Sequence, residues 1–109
     1  RFEKVLIEQN RHDDLTGLAN RRALDRALLR EWRRMQRTGT GFAVLAMDLD
    51  HFKEVNDRFG HPAGDQMLVQ VAGRLKRAAR EVDLIARVGG EEFIVLVHGD
   101  SLEGAQIAA

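Results

Sequence analysis

Phe42-Ala43-Val44-Leu45-Ala46-Met47 is an unbroken apolar run that stops abruptly at Asp48. A run of that length, bounded by turn residues, predicts a central strand covered on both faces. Leu84-Ile85-Ala86 and Phe93-Ile94-Val95-Leu96-Val97 read as two further buried strands, joined as a hairpin through Arg87 to Glu92. Helical spacing governs the rest. Leu24, Ala27, Leu28, Trp32 and Met35 form a stripe that Asn20 can cap and that Gly39 and Gly41 end. A short helix fits Phe52 to Phe59, before Gly60. Pro62 can then start a helix whose core stripe is Leu68, Val71, Ala72, Leu75 and Ala79. Phe2, Val5, Leu6 and Gln9 carry about a turn and a half of helical spacing. His12 to Ala19 is a polar break containing Gly17, and Ser101 to Ala109 reads as the start of one more helix.

The order is helix, strand, helix, helix, strand, strand, helix start. This predicts an α+β fold: a ferredoxin-like or palm-type β-α-β-β-α-β sandwich with an antiparallel sheet and an extra N-terminal helix. On this reading the final helix is unfinished and a last strand of about 5–6 residues is still to come. Residues 1–12 read as the end of an upstream stalk or signalling helix, and residues 13–109 as one domain.

Composition narrows the classes. The chain has 109 residues, enough for one small core, with 44% hydrophobic and 31% charged positions, which is ordinary for a folded domain. It has no cysteine, which excludes a disulfide scaffold and a thiolate metal site. No apolar run approaches a membrane span, and no signal-peptide pattern is present at the start. A cytoplasmic location is therefore expected, with attachment of a parent protein to a membrane through upstream segments left open. Net charge is zero but unevenly spread. Arg21 to Arg37 holds seven arginines against Asp25 and Glu31, and reads as a solvated helix face; a nucleic-acid binder would have a basic balance overall. Asp48 to Asp65 holds five acids against Lys53 and Arg58.

Those acids carry the chemistry. Asp48 and Asp50 are alternate residues at a strand's end, so both are expected on one side of it. Carboxylates beside a buried strand are costly unless compensated, by Lys53 or Arg58 or by a hard cation such as Mg²⁺. If the hairpin pairs beside the first strand, Glu91 and Glu92 reach the same end as Asp48. Neighbours in extended chain point in different directions, so one glutamate can hold a cation while the other faces a substrate hydroxyl. Gly89 and Gly90 are expected to let the backbone turn and to let a bulky ligand come close.

These residues sit in a longer pattern. Asp14-Leu15-Thr16-Gly17-Leu18-Ala19-Asn20-Arg21, Asp48-Leu49-Asp50-His51-Phe52-Lys53 and Asn56-Asp57 are followed by Phe59-Gly60-His61, Gly64-Asp65 and Arg87-Val88-Gly89-Gly90-Glu91-Glu92-Phe93. In this order and spacing the chain resembles a GGDEF domain, the catalytic module of diguanylate cyclases, from about residue 12 to 98. The resemblance implies condensation of two GTP into cyclic di-GMP and two pyrophosphates, each 3′-hydroxyl attacking the other's α-phosphate. It implies a homodimer that brings two half-sites together, an upstream regulatory domain and no nucleic acid. It also implies a Mg²⁺ or Mn²⁺ cofactor on Asp48, Glu92 and the Leu49 carbonyl. Glu91 matches the position near the attacking hydroxyl, and Lys53 is the candidate phosphate contact. Phe52, Gly89 and Gly90 match positions where backbone approaches phosphate. Asn56 and Asp65 match the guanine-reading positions; a carboxylate can accept from guanine N1–H and the 2-amino group. His61 is read as bracing its loop. Glu91 stands where the family name has Asp, a common active form.

Arg80-Glu81-Val82-Asp83, with five residues between Asp83 and Gly89, matches the family's product-inhibition site. There an arginine can fork onto phosphate or guanine and an aspartate can accept guanine's donors. Two other readings stand beside the enzyme: a module that binds GTP or cyclic di-GMP without turnover, and a polymerase-like or adenylate-cyclase-like palm, which Asn56 and Asp65 disfavour.

Overall fold

The structure is a computed structural model, and it describes residues 10–99. Six elements follow in chain order: α1 (Arg21–Thr38), β1 (Ala43–Asp48), α2 (Phe52–Phe59), α3 (His61–Ala78), β2 (Leu84–Arg87) and β3 (Glu92–Val97). The strands form one antiparallel sheet in the order β1-β3-β2. This is the expected mixed fold, with β1 and β2 parallel to one another on either side of β3. The helical readings at Phe2 to Gln9 and Ser101 to Ala109 fall outside the described residues. Among the described residues no helix is long and apolar enough to cross a membrane.

Local chemistry sets the boundaries. Asn20 caps α1 by accepting from the Ala23 N–H at 3.0 Å, and Gly39 ends it with a left-handed φ of 78°. Pro62 sits in the first turn of α3, where its missing N–H costs nothing. The segment before α1 is stitched to the sheet: the Ala19 N–H donates to the Ile85 carbonyl at 3.1 Å and the Arg87 N–H to the Ala19 carbonyl at 2.9 Å.

The sheet separates two clusters by simple alternation. Ile85, Phe93, Val95 and Val97 face α3 and bury Leu68 and Ala72, with Ala43, Leu45 and Phe52 at the margin. Ala86 and Leu96 face α1 and meet Leu24 and Ala27. Phe93 and Leu68 are the largest fully buried side chains.

β1 was expected to be central once a last strand is added; among the described residues it is paired only with β3. Helix α1 packs over β2 and leaves Val44, on its side of the sheet, 46% exposed, while Met47, on the α3 side opposite Phe93, is 38% exposed. The expected α1 stripe is covered only in part. Trp32, read as part of the α1 core stripe, is 50% exposed. Leu24 and Ala27 fill the narrow contact with β2, so the bulky end of the stripe has no sheet beneath it.

This packing predicts a sharp contrast. Phe93→Ala should cost about 3–5 kcal/mol, the range for emptying a buried aromatic site. Val44→Thr should stay within about 0.5 kcal/mol, as for surface positions. Urea denaturation of both variants checks this, and a large loss for Val44→Thr would contradict the exposed edge.

Candidate functional site

Register decides where the acids go. In the β1–β3 ladder Asp48 is the direct partner of Glu92, which places their Cβ atoms about 4.5–5.5 Å apart on the same face. Both are exposed, and neither has an ion pair among the described residues. Like charges directly opposed destabilise a sheet, so the pair is held by what surrounds it. Phe93, fully buried beside Glu92, anchors one strand. The Leu49 N–H donates to the Glu91 carbonyl at 3.2 Å and prolongs the ladder past Asp48.

β1 ends at Asp48, so strand alternation does not extend to Asp50, and His51 takes a left-handed φ of 63° before α2 begins. His51 reaches Glu54 at 3.3 Å on the surface. Glu91 and Glu92 do diverge: Glu91 is partly buried while Glu92 is exposed.

The glycines of the turn behave differently from expectation. Neither Gly89 nor Gly90 has a positive φ, so the turn does not draw on glycine's left-handed freedom. A Cβ on Gly89 would lie 3.3 Å from the Glu92 carboxylate, whereas one on Gly90 would meet open space. A side chain at 89 would crowd the Glu92 carboxylate unless it moved by a few tenths of an ångström. The turn is held by its carbonyls. Gly90 O accepts from Arg87 Nη2 and Nε at 3.0 and 3.2 Å, and Glu92 O accepts from the Val88 N–H at 2.9 Å.

Sequence reasoning included Arg87 in the pattern but gave it no role, and it passed over Asp13. Arg87 Nη1 donates to both Asp13 oxygens at 3.0 and 3.2 Å, with each side chain less than a fifth exposed. Thr16 donates to the same carboxylate from its N–H at 2.8 Å and its hydroxyl at 2.7 Å. An aspartate followed at the third position by Thr is a signal for such a turn. Burial works to raise the Asp13 pKa, but the Thr16 hydrogen bonds and Arg87 outweigh it and hold the carboxyl below its usual 3.8.

Helices α2 and α3 bring the remaining acids near. Asn56 lies against the first turns of α3, where a Cβ on Gly64 would overlap its side-chain amide. Its Oδ1 is buried without a hydrogen-bond partner, and an orphaned buried acceptor is costly. Asp65 follows Gly64 and is exposed. Phe52 is half-buried against the core, and Lys53 and His61 are exposed. Arg80 and Asp83 lie at the sheet's opposite end. Asp83 accepts from the backbone N–H of Arg80 at 3.2 Å and of His98 at 3.3 Å, and Arg80 is exposed.

No group of three or more His, Asp or Glu side chains converges on a metal position among the described residues. Two facing carboxylates still fit Mg²⁺, which usually takes one or two carboxylates and completes its shell with water and nucleotide phosphates. Asp48 and Glu92 supply that donor set.

An antiparallel sheet flanked by helices, with two carboxylates facing each other at one strand end, is a palm-like α+β arrangement. The family description "Diguanylate cyclase, GGDEF domain" matches residues 10–109, and the chain belongs to this GGDEF family. It is 49% identical over 94 residues to the diguanylate cyclase DgcP of Pseudomonas aeruginosa, covering 86% of this chain and 14% of that protein. Among solved structures, the coiled coil and GGDEF domain of DgcB from Caulobacter crescentus in complex with c-di-GMP matches with a TM-score of 0.86 and 34% identity. That match covers 98% of this chain and 56% of the other. The GGDEF domain of TpbB from Pseudomonas aeruginosa matches with a TM-score of 0.80 and 44% identity, covering 89% of this chain and 59% of the other. The chain thus spans a small part of DgcP and somewhat over half of the two solved chains.

The depressed Asp13 pKa predicts a pH signature. A carboxyl whose folded value lies below its unfolded one contributes stability that is complete above the unfolded value and lost as pH falls through the folded value. Asp13→Asn should therefore cost about 1.5–3 kcal/mol at neutral pH. The gap to wild type should stay constant down to about pH 5 and close below 3.8. Denaturation curves between pH 3 and 7 (roughly the span over which a carboxyl titrates) check this. A gap that persists undiminished at the acid end would contradict it.

Proposed function

We propose that the chain is the catalytic part of a diguanylate cyclase, condensing two GTP into cyclic di-GMP with release of pyrophosphate. The observation that carries this reading is the direct cross-strand pairing of Asp48 with Glu92, two carboxylates with no cationic partner among the described residues, beside a turn that also presents Glu91. Asp48, Glu92 and the Leu49 carbonyl would hold Mg²⁺ or Mn²⁺, which would supply charge neutralisation at the attacked phosphate and lower the pKa of a nearby hydroxyl. Glu91 stands where it can accept the proton of a 3′-hydroxyl. Lys53 is an exposed cation for phosphate, with Phe52, Gly89 and the open face of Gly90 admitting the phosphates close to backbone.

Asn56 and Asp65 read the base. Asn56 is half-buried against the start of α3, with an amide N–H able to donate to guanine's ring acceptors, and the exposed Asp65 carboxylate can accept from guanine N1–H and the 2-amino group. Adenine offers no such pair of donors. One chain holds one GTP, so two copies face each other to react. Product returning to the exposed Arg80 would inhibit; Asp83 is partly committed to backbone there, and supplies only its remaining acceptor capacity. That exposed arginine also favours a second reading, a module that binds cyclic di-GMP without turnover. A cytoplasmic setting and an upstream regulatory domain complete the proposal.

Incubation with GTP and Mg²⁺, followed by chromatography for cyclic di-GMP, separates the two: product formation supports the enzyme, and binding without product supports the module. Asp48→Asn and Glu92→Gln should each weaken Mn²⁺ binding in the presence of a non-hydrolysable GTP analogue by at least about tenfold. Unchanged Mn²⁺ affinity in both would remove the metal assignment. Asp65→Ala should weaken GTP by about 1.5–3 kcal/mol while leaving ATP nearly unaffected. Equal losses for the two nucleotides, by calorimetric titration, would make Asp65 merely structural.

A further inference from the structure

The turn between β2 and β3 poses a mechanical problem. It must present Glu91 and Glu92 in fixed directions, yet it contains two glycines, the residues that lose most conformational freedom on ordering. Its order comes from three consecutive carbonyls, each gripped by a different donor. Gly90 O is gripped by the Arg87 guanidinium, Glu91 O by the Leu49 N–H and Glu92 O by the Val88 N–H. Among the described residues, Arg87 is the only side chain that holds a backbone atom of residues 88–91. Its other edge is fixed by Asp13, and Asp13 in turn by Thr16.

We infer that Arg87 is a positioning residue for this turn. Its guanidinium clamps the Gly90–Glu91 peptide against Asp13, and so sets the direction of Glu91 and the chain's entry into Glu92 from the loop that precedes α1. The inference rests on the functional reading only for its consequence in catalysis. A planar fork can hold a carboxylate and a carbonyl on two edges at once, whereas an ammonium is a point charge that can neutralise Asp13 without fixing the peptide. The same geometry makes the loop from Asn10 to Asn20 a lever. A displacement of Asp13 reaches the glutamates through one rigid group, with no rearrangement of the core.

The test compares wild type with Arg87→Lys, Arg87→Ala and Asp13→Asn by amide hydrogen exchange and by steady-state kinetics. The amides of Leu49 and Val88, which donate to the turn's carbonyls, should exchange about tenfold faster or more in Arg87→Lys and Arg87→Ala, the scale set by losing a charged hydrogen bond. Those of Ile94 and Val95 should change far less. Asp13→Asn, which also lowers global stability, should speed all four amides, with an added excess at Leu49 and Val88 smaller than in the Arg87 variants. Where wild type makes cyclic di-GMP, kcat should fall with KM for GTP nearly unchanged, since misaimed catalytic groups cost rate. If Arg87→Ala does not fold, Arg87→Lys decides alone. Full protection in Arg87→Lys would show that only charge matters at Asp13. A parallel rise at Ile94 and Val95 would show plain loss of stability. Either result overturns the inference. If wild type makes no product, the functional reading fails, while the exchange rates still decide the clamp.

Discussion

The pairing of β1 with β3 is the constraint on which everything else rests. In an antiparallel ladder one register fixes both faces, because side chains alternate strictly. Phe93 cannot be in the core unless Glu92 is at the opposite face, and Glu92 cannot sit there without meeting Asp48. The acidic pair is thus a by-product of the count that builds the hydrophobic clusters on either side of the sheet. A slip of one residue would bury a carboxylate and expose the largest core side chain together, so the register is defended by burial energy far from any chemistry.

Several parts of this arrangement could be read from residue order. Phe52 to Phe59 is bounded by Gly60 and Pro62, residues with strong local preferences, and it is helical over those positions. Asn20 and Gly39 likewise act through their own backbone and marked both ends of α1. The convergence of Asp48 with the glutamates was legible because both abut apolar runs whose pairing puts their ends together. Other parts depend on tertiary placement. Nothing in Phe42 to Met47 says that α1 will lean over β2 and leave one face of β1 open. Trp32 has helical spacing with Leu28, but spacing cannot say how far a sheet extends beneath it.

The link between Asp13 and Arg87 was invisible for a different reason. It joins residues 74 positions apart through side chains, and each has an innocent local reading: a polar loop acid and a strand-end arginine. His51 hid similarly. Its left-handed backbone carries a penalty of about 1–2 kcal/mol for a residue with a Cβ, and no neighbouring residue type announces it. Both features sit beside the acidic cluster, where local preference gives way to the geometry the cluster needs.

The missing Cβ at Gly64 has a consequence for how these two positions can change over time. The Asn56 amide occupies the volume that any other residue at 64 would claim. The dependence runs one way: Gly64 cannot gain a side chain while Asn56 stays, whereas Asn56 can shrink without disturbing Gly64. Substitution here therefore has a fixed order, with position 56 emptied before position 64 can be filled.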